Sequence, residues 1–223
     1  MTMQPDHPIT RRQANAALLA LGALAVLPGQ AWAQQARALP APRKAHGKPL
    51  MQALQLRRSI REYAQRPIPE QVLSDLLWAA YGVNRPSGDR TAPYWRHVMV
   101  IDVYAAMADG VWLYEPRQHA LQPHLAVDIR RETGTQDFVA AAPLDLVYAV
   151  HGERMKDVSP EERRLYGSVD AAFAGQNVYL YCASEGLATV FRGSLDHEKL
   201  GRTMRLGEGQ FVAFAQSVGY PRT

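Results

Sequence analysis

Three arginines and a serine fall within five residues of this 223-residue chain, Arg57-Arg58-Ser59-Ile60-Arg61. A guanidinium offers a planar fork of donors that matches phosphate oxygens, and a serine hydroxyl adds one more. The chemistry that suits such a cluster is the holding of a phosphate ester. A charge cluster beside a short amphipathic run (Leu50, Leu54) also reads as a solvated helix end, so the surrounding elements must decide.

Other chemistries are poorly served. His119 and His124 stand five apart, the wrong spacing for one helical face, and there is no H-E-x-x-H, so no metal site is expected. Cys182 is the single cysteine, which excludes an intrachain disulfide and a cysteine-based zinc site. A serine hydrolase lacks its G-x-S-x-G, and a Rossmann unit its G-x-G-x-x-G.

The first residues read as an export signal. Thr10-Arg11-Arg12 precedes an apolar run from Ala16 to Leu27, Pro28-Gly29 breaks it, and Ala31-Trp32-Ala33 offers a small-x-small cleavage site. The arginine pair resembles a twin-arginine signal, while Gln13-Ala14-Asn15 after it keeps the general secretory route open. A periplasmic or otherwise exported protein is expected. The run is too short to span a bilayer comfortably, and no other stretch reaches that length. Cleavage after Ala33 leaves 190 residues and lowers the formal charge from +4 to +3, a mild basicity that does not imply nucleic acid. Residues 34–49, rich in Ala, Pro and basic residues, read as a flexible linker ahead of a domain over 50–223.

Within that domain the apolar spacing after Pro69 (Val72, Leu73, Leu76, Leu77, Ala80) predicts a helix closed by Gly82. Strands are predicted at Val98–Val103, at Gly110–Tyr114 after an Asp109-Gly110 turn, at Leu144–Val150, at Ala188–Phe191 and at Gln210–Val218. Phe138–Ala142 reads as the end of a short helix. Ser168–Glu185 is apolar almost all round and predicts a helix buried on every side, at the core or in a subunit interface, with Gly186 as its cap. The expected class is α+β, with helices packed around a small, mostly antiparallel sheet and the long central helix at a dimer interface.

Seven stretches in order, RRSIREY (57–63), PIPEQVLSDLLWAAYGVNRP (67–86), GDRTAP (88–93), VYAAMADGVWLYEP (103–116), AAPLDLVYA (141–149), AGQNVYLYCASEGLATVFRG (174–193) and VGYP (218–221), resemble the nitroreductase family of flavoenzymes. The likeness is strongest to its thiazoline- and oxazoline-oxidising dehydrogenase branch. The resemblance implies a nitroreductase-like fold, a homodimer and FMN as cofactor. It implies that Arg57 and Ser59 contact the phosphate and ribityl chain, with Arg61 near the pyrimidine edge, where negative charge develops on reduction. Arg58 belongs to the same motif, with solvent or an ion pair as its other reading.

Phe191-Arg192-Gly193-Ser194 aligns with the family's turn beneath the flavin, where a backbone N–H near Arg192 and Gly193 faces N5. The Arg192 side chain is either a phosphate ligand or a surface charge. Where the family usually carries Pro-Ser-x-x-Asn, contributed across the dimer, this chain has Pro93, Tyr94, Trp95, Arg96 and His97. The two aromatic side chains either stack above the flavin and narrow the substrate cleft or pack in the core. Arg222 is a candidate phosphate ligand at the C-terminus. The implied activity is an oxidoreductase with ping-pong transfer of hydride or electrons between a small-molecule donor and a small organic acceptor, such as a nitroaromatic or a quinone. The departures at 94–97 leave a second reading, a non-catalytic flavin-binding protein that keeps the fold.

Overall fold

The computed structural model describes residues 35–222, in which seven strands and four α-helices are laid out. The strands are β1 (Arg37–Ala38), β2 (Ile101–Met107), β3 (Gly110–Glu115), β4 (Ala120–Leu125), β5 (Leu144–His151), β6 (Ala188–Arg192) and β7 (Gln210–Gly219). The helices are α1 (Leu50–Leu56), α2 (Glu70–Tyr81), α3 (Pro160–Glu185) and α4 (His197–Thr203). All seven strands form one sheet in the order β1-β4-β3-β2-β5-β7-β6, and every neighbouring pair is antiparallel. The expected α+β class holds, with a larger sheet than the sequence suggested.

The most thoroughly buried strand is β5, between β2 and β7, all eight of whose residues are buried. Its side chains alternate between two cores. Leu144, Leu146, Tyr148 and Val150 pack with Leu73, Leu76, Leu77 and Val178 under α2 and α3. Val147 and Ala149 face Leu200, Met204 and Val212 on the α4 side. A strand covered on both faces shows an unbroken apolar run, which is why it was readable from sequence.

Helix α3 begins eight residues earlier than its apolar stretch suggested. Ser159 caps it, accepting from the Glu162 N–H while the Glu162 carboxylate accepts from the Ser159 N–H, and Pro160 takes the first helical position. Gly186 ends it in the left-handed conformation, φ +72. A Cβ on Gly175 would stand 2.5 Å from the Phe191 ring, so the glycine lets the helix settle onto β6. Within one chain the helix is buried on one side. Gly167, Ala171, Ala174, Val178 and Cys182 face inward, whereas Leu165, Val169 and Phe173, spaced by four, remain exposed in the single chain.

The flexible-linker reading is corrected for residues 37–48. β1 pairs with β4, Leu39 is buried, and Ser74 Oγ donates to the Pro40 carbonyl. Arg43 reaches the buried Asp75 through both its backbone and its guanidinium, with contacts of 2.7–2.8 Å. Lys48 closes the strap on Ser184. The export-signal assignment lies outside the described residues. Among the described residues no helix is long and apolar enough to cross a membrane, and no cluster of three or more His, Cys, Asp or Glu is placed to hold a metal.

Candidate functional site

The arginine-serine motif leaves α1 at its C-cap residue Arg57 and runs alongside β6, where the Ile60 N–H donates to the Thr189 carbonyl at 3.0 Å. One turn of α3 faces this junction and presents Tyr179. Its hydroxyl lies 2.8 Å from Ser59 Oγ and accepts the Phe191 N–H at 2.9 Å. Its ring lies under the Arg57 guanidinium, 5.2 Å from the ring centre. Tyr179 thus ties the serine of the motif to the backbone of β6 through one oxygen. The structure thus brings Arg57 and Ser59 together with the Phe191–Gly193 turn, as the sequence implied. Tyr179 is the residue sequence reasoning missed, because it sits inside a helix read only for its apolar face.

Positive charge predominates at this corner. Arg57 is half-buried and Arg58 and Arg61 are exposed, and none has a carboxylate partner among the described residues. Arg58 spends its donors on the Gln55 and Arg57 carbonyls at 2.8 and 2.9 Å. Arg222 is held beside the motif, its N–H on the Glu62 carbonyl, but its guanidinium pairs with the Glu62 carboxylate at 3.0 Å. Both side chains are largely exposed, so the pair is a weak one. Gly193 is exposed, two residues beyond Phe191 at the end of β6.

Arg192 is neither a phosphate ligand nor a surface charge, and both readings are corrected. Alternation along β6 turns its side chain away from Tyr179, into the interior. There it pairs with Asp145 at 2.9 Å, the two side chains being 2% and 0% exposed, and donates to the Thr133 carbonyl at 2.8 Å. Ser217 also donates to Asp145. Burial pushes the Asp145 carboxyl up to about 6, against the pull of the Arg192 guanidinium. Gly134 packs directly on the guanidinium, where a Cβ would collide.

The 93–97 loop lies elsewhere on the same helix. The Trp95 N–H donates to Asp170 Oδ2 at 2.9 Å, and its indole lies 6.1 Å from the Tyr166 ring. The Tyr94 hydroxyl donates to Asp89, and its ring meets His97 edge-on. Pro93 and His97 are exposed, and Arg96 lies over the Trp95 indole. Trp95 packs against the main core, while Tyr94 is half-buried at the loop surface. Burial pushes Asp170 up to about 6, opposed by the Trp95 N–H. Asp170 and Tyr179 are nine residues apart on α3, roughly 13 Å along the axis. Within one chain, then, the loop residues do not join Arg57 and Ser59.

This geometry agrees with what comparison with known proteins finds. The nitroreductase family model matches residues 54–220, nearly the whole described fold. A candidate nitroreductase from Methanocaldococcus jannaschii is 31% identical over 162 residues, covering 68% of this chain and 82% of that protein. The crystal structure of a candidate nitroreductase from Ralstonia eutropha superposes with a TM-score of 0.82 at 42% identity, covering 86% of this chain and 92% of that one. The NADPH:FMN oxidoreductase of Vibrio harveyi, solved with NAD+, shares the fold at a TM-score of 0.59 and 22% identity, covering 78% of this chain and 69% of that one. The chain belongs to the nitroreductase family and is an oxidoreductase of that family.

Proposed function

We propose that the protein is an FMN-dependent oxidoreductase that moves reducing equivalents from a small donor to a small organic acceptor, a nitroaromatic, a quinone or a similar molecule, in two separate half-reactions. The observation that carries this reading is the convergence of Arg57, Ser59 and the Phe191–Gly193 turn on Tyr179. The donor set fits the cofactor. Three guanidinium groups without carboxylate partners and a serine hydroxyl suit a phosphate and polyol, and an exposed glycine suits a flat ring that must approach backbone closely. Bound FMN would supply the redox centre that exchanges hydride or single electrons with donor and acceptor in turn.

The chain's own residues then have distinct tasks. Arg57 and Ser59 hold the phosphate end, and Tyr179 fixes both by a stacking contact and a hydrogen bond. Arg61 offers a fixed positive charge at the other end of the motif, and the Gly193 backbone supplies a close polar contact without a side chain in the way. The likeness of the motif run to the thiazoline- and oxazoline-oxidising branch supports a small heterocycle as the donor that a flavin would oxidise. The likeness to the Vibrio harveyi NADPH:FMN oxidoreductase supports the flavin.

The working unit in this reading is a homodimer. The exposed stripe Leu165, Val169 and Phe173 on α3 and the exposed Leu50, Met51 and Leu54 on α1 form apolar surface that a second copy would cover. A partner chain would also return the 93–97 loop to the flavin corner of its neighbour. Export by the arginine-pair signal, to the periplasm or otherwise out of the cytoplasm, completes the proposal. Turnover with an artificial reductant and a quinone or nitroaromatic acceptor tests the reading. Flavin binding without turnover would favour the non-catalytic alternative that the altered 94–97 loop suggests.

A further inference from the structure

Strands β2 and β3 are paired only from Tyr104↔Leu113 to Met107↔Gly110. Beyond that point they part, residues 101–103 continuing on β5 and Tyr114 and Glu115 on β4. The fork holds a cavity of about 310 Å³, at the small end of ligand pockets, and none of its lining residues belongs to the flavin corner.

Its lining carries two buried polar groups that no described residue satisfies. Arg90 is 6% exposed, its Nε has no partner among the described residues, and its guanidinium makes a 3.3 Å contact to the Gly88 carbonyl. The Tyr81 hydroxyl, on a side chain 2% exposed, has no partner either, and the Arg90 guanidinium stands 5.5 Å from that ring's centre. Two more arginines line the mouth, Arg117 and Arg154. Gly88, at φ +89, makes room for Arg117, whose guanidinium a Cβ there would meet at 2.8 Å. The two carboxylates of the lining are already engaged. Asp102 is bound to His151 at 2.6 Å and to Arg154 at 3.3 Å, and Glu115 accepts from the Arg117 N–H at 3.0 Å. A buried guanidinium with no counter-charge and a buried hydroxyl with no acceptor are each costly unless a ligand completes them.

We propose that this fork is a second binding site, for a small anion bearing a phosphate or carboxylate group, with Arg90 and Tyr81 as its floor and Arg117 as its entrance. The guanidinium forks match either oxyanion, and the Tyr81 hydroxyl donates a further bond. The site is independent of the flavin assignment, since it shares no residue with it.

Calorimetric titration of the full-length protein with inorganic phosphate and, separately, with malonate tests the assignment. Wild type should bind at least one of the two, and the tighter ligand identifies the class. Arg90→Gln should weaken that binding by roughly tenfold to a hundredfold. Arg117→Ala, at the exposed mouth, should weaken it several-fold. Titration in the presence of saturating FMN should leave it unchanged, which separates this site from the proposed flavin-phosphate site. Tyr81→Phe should weaken the anion and at the same time raise the melting temperature of the ligand-free protein, because it removes an unsatisfied buried hydroxyl. Absence of binding by both anions, or equal affinity in wild type, Arg90→Gln and Arg117→Ala, overturns the proposal.

Discussion

The hydroxyl of Tyr179 lies 2.8 Å from Ser59 Oγ, joining the C-terminal third of the longest helix to a motif 120 residues earlier in the chain. The same oxygen accepts the Phe191 N–H, so one side chain sets the distance between the arginine-serine motif and the glycine turn. Tyr179→Phe keeps the ring under Arg57 and removes both hydrogen bonds. Its expected cost is about 1–3 kcal/mol in stability and a several-fold loss of FMN affinity. Urea unfolding and flavin titration measure the two; unchanged values for both would show that the hydroxyl positions nothing.

The arginines should separate by role. Arg57→Ala should weaken FMN binding by about 1.5–3 kcal/mol through loss of a charge-assisted contact, and Arg58→Ala much less. Arg192→Ala should behave differently, because it leaves the Asp145 carboxyl buried without its partner. Its cost, about 3–5 kcal/mol, should appear in unfolding of the flavin-free protein. A folded Arg192→Ala protein of ordinary stability that has lost only its flavin would return this residue to the phosphate site.

Asp170 gives a pH signature. Burial holds its carboxyl at about 6 in the folded chain, against an ordinary value of 3.8. A carboxyl whose folded pKa is raised binds its proton more tightly when folded. Its favourable contribution is therefore full below about pH 4 and lost as the pH rises through about 6. Asp170→Asn keeps an acceptor for the Trp95 N–H and removes the titration. The variant should gain on wild type by on the order of 2–3 kcal/mol between about pH 4 and about pH 8, read by urea unfolding across that range. Parallel pH profiles would place the titration elsewhere.

How far the sequence could be read depended on whether its signal was local. β5 was legible because burial on both faces makes its run continuously apolar, and the buried face of α3 because its small residues recur at helical spacing. The start of α3 lies ahead of its apolar stretch: Ser159 and Glu162 spell a capping box, but the opening residues Glu161-Glu162-Arg163-Arg164 are polar and carry no apolar period. β4 was hidden by Pro123, which removes a ladder donor, and by a register shift opposite Val111 and Trp112. The strap over 37–48 has no apolar period; it is ordered by Asp75 and Ser184, partners that no reading of the segment alone reveals. The same holds at the site. Arg57 and Ser59 are contiguous and were found, whereas the fate of Arg192 is decided by Asp145, 47 residues away on another strand.

The exposed stripe on α3 makes a prediction about assembly. Phe173→Glu places a charge amid Leu165, Val169 and Leu50-type apolar surface and should convert a dimer to a monomer that no longer retains FMN. Stable interfaces of this kind bury more than about 2,000 Å². Analytical ultracentrifugation of wild type and variant reads the outcome directly. A wild-type monomer with flavin bound would contradict both the dimer and the shared-site reading.

The central claim, that the corner formed by Arg57, Ser59, Tyr179 and Gly193 holds FMN, is tested most directly by the visible absorption of the purified protein. The account predicts a yellow protein with flavin bands near those of free FMN, one equivalent of FMN released per chain on denaturation, and loss of that colour in the Arg57→Ala and Ser59→Ala double variant while the fold persists. A wild-type protein that stays colourless after incubation with excess FMN would contradict it.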